Sequence, residues 1–255
     1  SGSWVNAISF SPDSSLIASV SRDKTVRICQ VDTGECIREL EADMGDVQNV
    51  KFSPDSSLIA FACTLSEDDR IIQIRWVDSN QVIQSLKGHE STVFGATFSP
   101  DCRILGSFSS DRSVRTWRVA TGECLHVLKG HSILPKTISF SPDMSLIASG
   151  SYDKTVRIWR IDSDDDAHQQ SESHDSIESV IISPDRTLVA SYSERGKVRV
   201  WKMDTGECLH RNLKHGDEKI ESLAFYSNSK LIFAWSSESE TLWLWRLDTG
   251  HCVRK

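Results

Sequence analysis

Residues 133–172 read ILPKTISFSPDMSLIASGSYDKTVRIWRIDSDDDAHQQSE, and the punctuation of this stretch decides the fold class. Thr137-Ile138-Ser139-Phe140 is a short β-prone run. It is closed by Ser141-Pro142-Asp143-Met144, where Pro presets the first central turn position and Asp suits the second. Leu146-Ile147-Ala148-Ser149 follows, then a turn around Tyr152-Asp153-Lys154, then Thr155-Val156-Arg157-Ile158-Trp159. A fourth strand is clearest one unit earlier, in Cys124-Leu125-His126-Val127-Leu128. No segment repeats its apolar residues at helical spacing, so the unit reads as a small antiparallel sheet of four strands.

The same unit recurs along all 255 residues. Phe-Ser-Pro-Asp begins at Phe10, Phe52, Phe98 and Phe140, a variant begins at Ile182, and a worn copy begins at Phe225, with spacings of 42, 46, 42, 42 and 43 residues. Some copies are nearly verbatim. Residues 11–18 recur at 53–60, 23–28 at 153–158, and 121–126 at 205–210. A four-stranded sheet cannot bury both faces alone, whereas sheets arranged about an axis cover one another, so a β-propeller is the expected architecture. The expected units are about 3–41, 45–87, 91–129, 133–172, 175–213 and 218–255, which leave no room for a second domain. The chain starts on a first strand and ends on a fourth, which leaves no strand to cross over and clasp a ring. The expectation is either a six-bladed ring without a clasp or a slice of a longer array.

Gly-His, then about nine residues to Phe-Ser-Pro-Asp, then Asp-Lys-Thr-Val-Arg-Ile-Trp, resembles the WD (tryptophan–aspartate) repeat over essentially the whole chain. That resemblance implies a hydrogen-bonded tetrad in each blade: a loop His, a second-strand Ser, a turn Asp and a third-strand Trp. Two units carry it entire, as His89, Ser107, Asp111, Trp117 and as His131, Ser149, Asp153, Trp159. The first unit keeps Asp23 but has Cys29 for Trp; the second has Ala42-Asp43 for Gly-His and Arg75 for Trp, with Trp76 one residue late. The fifth keeps Trp201 but has Arg195 for Asp and His174 displaced by one; the sixth keeps Trp245, with Lys214-His215 for Gly-His and Ser239 for Asp. The outer units are therefore expected to be less firmly pinned than the central two. The near-verbatim copies further resemble the C-terminal arrays of fungal NACHT-type signalling NTPases, similar to vegetative-incompatibility factors, which implies a ligand-sensing part whose NTPase lies upstream. An ordinary cytosolic or nuclear adaptor is the alternative.

Composition narrows the function. With 29 Lys+Arg against 36 Asp+Glu the net charge is −7, a poor balance for general nucleic-acid binding, which relies on clustered cations. No run of about 18 apolar residues occurs, so no membrane-spanning helix is expected. Ser1-Gly2-Ser3-Trp4 shows no charged or apolar leader, so no secretory signal is expected. The seven cysteines include no CxxC pair; Cys36, Cys124, Cys208 and Cys252 share one context, Thr-Gly-Glu/His-Cys, and read as small buried strand residues in a reducing, cytoplasmic setting, with nuclear location the alternative. Phosphate-cradling, zinc-protease and serine-hydrolase motifs are missing, so neither an enzyme nor a cofactor is expected, and no metal site either. The acidic run Asp162, Asp164, Asp165, Asp166 lacks EF-hand spacing and reads as a solvated connection. Arg195, Lys197, Arg199 and Lys202 are locally basic, yet Arg199 repeats Arg27, Arg115 and Arg157, which favours a packed stem with a solvated head over a phosphate patch.

Binding of a protein or peptide is the expected function, carried where near-identical copies disagree. Before the turn Asp position the units read Arg22, Asp68, Ser110, Tyr152, Glu194 and Glu238. Before each first strand they read Trp4, Asp46, Thr92, Leu134, Ser176 and Lys219, and just inside it Asn6, Gln48, Phe94, Lys136, Glu178 and Glu221. The resemblance places these positions around the face that WD-repeat proteins use for partners. Trp4, Arg22, Phe94, Leu134 and Tyr152 are the expected anchors, since aromatic and Arg side chains dominate interface energetics.

Overall fold

The computed structural model describes residues 4–41, 46–64, 70–161, 166–170, 175–213 and 219–254. The described residues form no helix, and every strand belongs to one of six four-stranded antiparallel sheets. Sheet 1 holds β1 (Val5–Phe10), β2 (Leu16–Ser21), β3 (Thr25–Gln30) and β4 (Cys36–Glu41). Sheet 2 holds β5 (Asp46–Phe52), β6 (Leu58–Thr64), β7 (Arg70–Trp76) and β8 (Val82–Lys87). Sheet 3 holds β9 (Val93–Phe98), β10 (Ile104–Ser109), β11 (Ser113–Arg118) and β12 (Cys124–Lys129). Sheet 4 holds β13 (Pro135–Phe140), β14 (Leu146–Ser151), β15 (Val156–Arg160) and β16 (Asp166–Gln170). Sheet 5 holds β17 (Ile177–Ile182), β18 (Leu188–Ser193), β19 (Val198–Lys202) and β20 (Cys208–His210). Sheet 6 holds β21 (Ser222–Phe225), β22 (Leu231–Ser236), β23 (Thr241–Arg246) and β24 (Cys252–Arg254). Each sheet is a meander, with strands paired in chain order. The chain divides into two compact units, Ser1–Lys129 with sheets 1 to 3 and Gly130–Lys255 with sheets 4 to 6.

The Ser-Pro-Asp turns are built by side chains that replace strand bonds. In sheet 1 the Ser14 N–H closes on the Ser11 carbonyl at 2.8 Å, the Ser11 hydroxyl donates to Asp13 at 2.6 Å, and Asp13 accepts the Ser15 N–H at 3.0 Å. Ser53–Asp55, Ser99–Asp101, Ser141–Asp143 and Ser183–Asp185 repeat the Ser-to-Asp bond, and all five of these serines are buried. Asp at this position therefore serves as a local acceptor that lets a buried Ser bridge the turn.

The cores lie between neighbouring sheets of one unit. In the first unit, β6 alternates along its length. Ile59, Phe61 and Cys63 face sheet 1 with Ala18, Val20 and Ile28, while Leu58, Ala60 and Ala62 face sheet 3 with Val93, Ala96 and Phe98. Its unbroken apolar sequence is thus the signature of a strand buried on both faces, and each fully buried Val, Leu or Ile stabilises by about 1.5–3 kcal/mol. In the second unit, Ala148, Val156 and Ile158 of sheet 4 meet Ile177, Val180 and Ile182, and Val198 and Val200 of sheet 5 meet Ile220, Leu223 and Trp243. The first strands of neighbouring sheets touch: β1 with β5, β5 with β9, and separately β13 with β17 and β17 with β21. Ile8 and Phe10 of β1 are 57% and 56% exposed, although Val50, Phe52, Ala96 and Phe98 at the matching positions of sheets 2 and 3 are buried. A matching contrast marks sheet 6, where Leu242 is exposed and its counterpart Val198 is buried.

The shared cysteines depart from the expectation of burial. Cys36 and Cys252 are exposed and Cys124 and Cys208 half-buried, because each opens a fourth strand, which lies at the edge of its sheet.

Candidate functional site

Sheets 3 and 4 each close around one linear hydrogen-bond chain. The Trp117 indole N–H donates to Ser107 Oγ at 2.8 Å, which leaves the Ser107 hydroxyl proton for His89 Nε2, also at 2.8 Å. His89 Nδ1–H then donates to Asp111 at 2.8 Å. Trp159, Ser149, His131 and Asp153 repeat the arrangement, with 2.8 Å at every step. Both aspartates also accept from the turn, at Ser113 and Thr155. For Asp111 burial is the largest single influence and pushes the carboxyl up, but the bonds from His89 and Ser113 outweigh it and hold it well below the usual carboxylate range. Burial holds the His89 imidazole below its ordinary value against the pull of Asp111. A neutral imidazole beside an ionised carboxylate fits the donor order. Ser, His and Asp in series are also the components of a serine nucleophile. Here the Ser107 side chain is fully buried and its lone pair is taken by Trp117, so no carbonyl can reach it.

The outer sheets hold their loops differently. In sheet 1 Asp23 accepts from the Thr25 N–H and hydroxyl at 3.0 and 2.6 Å and lies 3.6 Å from Arg27. In sheet 5 the polarity of the pin is reversed. Asp175, whose side chain is almost fully buried in the loop before β17, pairs with Arg195 at 3.3 Å and Lys197 at 3.2 Å, the residues standing where sheets 3 and 4 have Asp and Ser or Thr. Arg195 and Lys197 of the basic run are therefore counter-charges to Asp175, while Lys202 pairs with Glu207 at 2.7 Å. Arg199 is also buried, with Nε donating to the Arg211 carbonyl at 3.1 Å, and so departs from the expected solvated head. In sheet 6 Trp243 and Trp245 are buried and stacked with their rings 14° apart. His174, Lys214, His215, Ala42, Asp43 and Asp68 lie outside the described residues, as do Asp162, Asp164 and Asp165; for Asp166 only the backbone, which opens β16, is described. Among the described residues no His, Cys, Asp and Glu group could hold a metal ion. Nor is any described helix long and apolar enough to cross a membrane.

In sheets 1, 3, 4 and 5 the variable positions meet in pairs at the end that carries the turn between the second and third strands. The Arg22 N–H donates to the Trp4 carbonyl at 2.9 Å, Ser110 to Thr92 at 2.9 Å, Tyr152 to Leu134 at 3.3 Å and Glu194 to Ser176 at 3.1 Å. Sequence reasoning missed the residue that fixes these pairs. In sheets 1, 3 and 4 the Ser closing the second strand is buried, and its hydroxyl clamps the incoming loop: Ser21 to the Trp4 carbonyl at 3.0 Å, Ser109 to Ser91 at 2.9 Å, Ser151 to Leu134 at 2.9 Å. Its recurrence at 21, 109, 151, 193 and 236 was the available signal.

In the first unit Trp4 is 78% exposed with the Arg22 guanidinium 5.9 Å from its ring centroid, and Phe94 is 37% exposed. In the second unit Tyr152 is 39% exposed with Lys136 Nζ 4.9 Å from its ring, and Leu134 is half-buried. Part of the variation joins neighbouring sheets. Asn6 donates to the Val47 carbonyl at 2.9 Å, and Lys136 pairs with Glu178 at 2.5 Å. Burial disfavours the Lys136 charge, but the bonds to Glu178 and Tyr152 more than offset this and raise its pKa.

The chain matches the WD domain, G-beta repeat family over residues 1–29, 34–74, 80–118, 122–160 and 167–202. It belongs to the WD-repeat family. No curated protein matches it. Four of the five WD repeats begin ahead of a fourth strand or within one and end on the third strand of the next sheet, so the sequence repeat straddles two sheets. The segment from β20 to β23 lies outside the match, and there the Gly-His and Asp signals are lost although sheet 6 still forms. WD repeats are in general non-catalytic scaffolds for protein partners, and a protein-interaction role follows for this chain.

Proposed function

We propose that the six sheets are the blades of a WD-repeat propeller, and that the sheet ends carrying the second-to-third-strand turns and the first-strand entries form the partner face, with Trp4, Arg22 and Phe94 as anchors in the first unit and Leu134 and Tyr152 in the second. The observation that carries this reading is the exposure of Trp4 and Tyr152 on loops held by buried serine clamps, which presents large side chains on a rigid support at little entropic cost. The partner is a protein or peptide. The near-verbatim repeats further support a sensing role of the kind held by the arrays of fungal NACHT-type signalling proteins, in the cytoplasm; an adaptor in the cytosol or nucleus is the alternative, and a P-loop encoded upstream distinguishes the two. Changing Arg22, Phe94 and Tyr152 together to Ala tests the face. The expected outcome is loss of partner capture, by at least 10-fold since each anchor is worth about 1–2 kcal/mol, at an unchanged unfolding temperature. A lower unfolding temperature with capture retained contradicts it.

A further inference from the structure

In sheets 3, 5 and 6 the Cys that opens the fourth strand is the cross-strand partner of the third-strand Trp: Cys124 of Trp117, Cys208 of Trp201, Cys252 of Trp245. Sheet 1 keeps the fourth-strand Cys but has lost the Trp to a second Cys, so Cys29 and Cys36 stand directly opposite. Just beyond the pair the Gln30 N–H donates to the Glu35 carbonyl at 2.8 Å, which marks Cys29–Cys36 as a non-hydrogen-bonded site. Such sites bring Cα atoms to about 4.5 Å and side chains closest together, within the roughly 4.4–6.8 Å that a disulfide spans. The ladder skips Ile37 immediately beside the pair, and this bulge brings the two cysteines into register. Both thiols are free; Cys36 is exposed and Cys29 half-buried, so reagents reach Cys36 first. Burial and the adjacent Cys36 thiol hold the Cys29 thiol above its usual range, which lowers its thiolate fraction and disfavours it as the first attacker.

We propose that Cys29 and Cys36 form a reversible cross-strand disulfide by exchange with a low-molecular-weight disulfide of the glutathione class. Cys36, as thiolate, attacks one sulfur of the small disulfide, forming a mixed disulfide and expelling one small thiolate. Cys29, as thiolate, then attacks Cys36 Sγ and expels the second. Two protein thiols are oxidised, one small disulfide is reduced to two thiols, and the two protons pass to the released thiolates. The bond ties β3 to β4 in the sheet whose third strand lacks the Trp pin and whose loop carries Trp4 and Arg22.

Both cysteines fall in one tryptic peptide, Ile28–Arg38, which makes the state directly readable. The full chain is equilibrated over a range of reduced-to-oxidised glutathione ratios, alkylated and digested. The expected result is an unalkylated peptide two hydrogens lighter than the reduced form, reversed by dithiothreitol. Amide protection across β3 and β4 is expected to rise by up to ~50-fold, the entropic limit for closing so short a loop. Cys36→Ser abolishes both effects and Cys124→Ser leaves them intact. Alkylation or simple glutathionylation of both residues in the folded chain overturns the proposal, as does a lighter peptide that forms only in denaturant.

Discussion

His89 and Asp175 show how the loop before a first strand can be held by opposite chemistry. His89 is a neutral donor to a carboxylate, whereas Asp175 is itself the carboxylate and takes its partners from the turn. Their responses to pH and substitution therefore differ. His89 titrates below its ordinary value of 6.5 in the fold, so the unfolded chain binds the proton more readily. The stability it contributes is complete above about pH 6.5 and is lost as the pH falls through the lower, folded value. Asp111 and Asp153, also held low, act in the same direction in a more acidic window, below the usual carboxylate range. The urea midpoint is expected to fall between pH 7.5 and pH 5, and His89→Gln to flatten that slope while sparing the steeper acid loss; a midpoint independent of pH in the parent chain contradicts this. At the reversed pin, Arg195→Asp places a carboxylate against Asp175 and is expected to cost about 1 kcal/mol more than Arg195→Ala in urea denaturation. Equal costs would show that the pairing carries no weight.

At the scale of elements, the sheets owe their close approach to small residues as much as to large ones. A Cβ added at Gly150 of β14 would lie 2.4 Å from Ile177 of the neighbouring sheet and 3.0 Å from Thr137. Gly150→Ala is expected to destabilise by about 1–3 kcal/mol through overpacking, with much of the loss recovered in the double variant Gly150→Ala, Ile177→Ala. No recovery would mean that the cost lies in the backbone. Sequence reading reached the strands, the turns and both complete tetrads because each is written in local signals: alternation, Ser-Pro-Asp, and fixed offsets between His, Ser, Asp and Trp. Pairing across space was less legible. Asp175 sits two residues beyond where sheets 3 and 4 place His89 and His131, so its link to Arg195 emerges only once the loop is folded. Likewise the opposition of Cys29 and Cys36 depends on a bulge at Ile37, since strict alternation would set Cys29 against Ile37. The serine clamps were visible as a recurrence, but a small polar residue at a strand end carries no specific signal without its acceptor.

For the whole molecule, a division of labour is the central claim. In sheets 1 to 5 one end is given over to internal bonds, where the Ser-Pro-Asp turns are alike from copy to copy; at the opposite end, the second-to-third-strand turns and the first-strand entries beside them vary, and Trp4, Phe94 and Tyr152 are exposed there. On the proposed reading, recognition uses the end that differs. Alternatives that use the grooves between sheets or the uniform turns predict contact elsewhere on the same chain. Hydrogen-exchange footprinting of the chain with its captured partner separates them directly. Newly protected amides are expected at residues 4–6, 22–24, 92–94 and 110–112, and at 134–136 and 152–154, with the Ser-Pro-Asp turns at 11–15, 99–103 and 141–145 unchanged. Protection confined to those Ser-Pro-Asp turns would contradict the account.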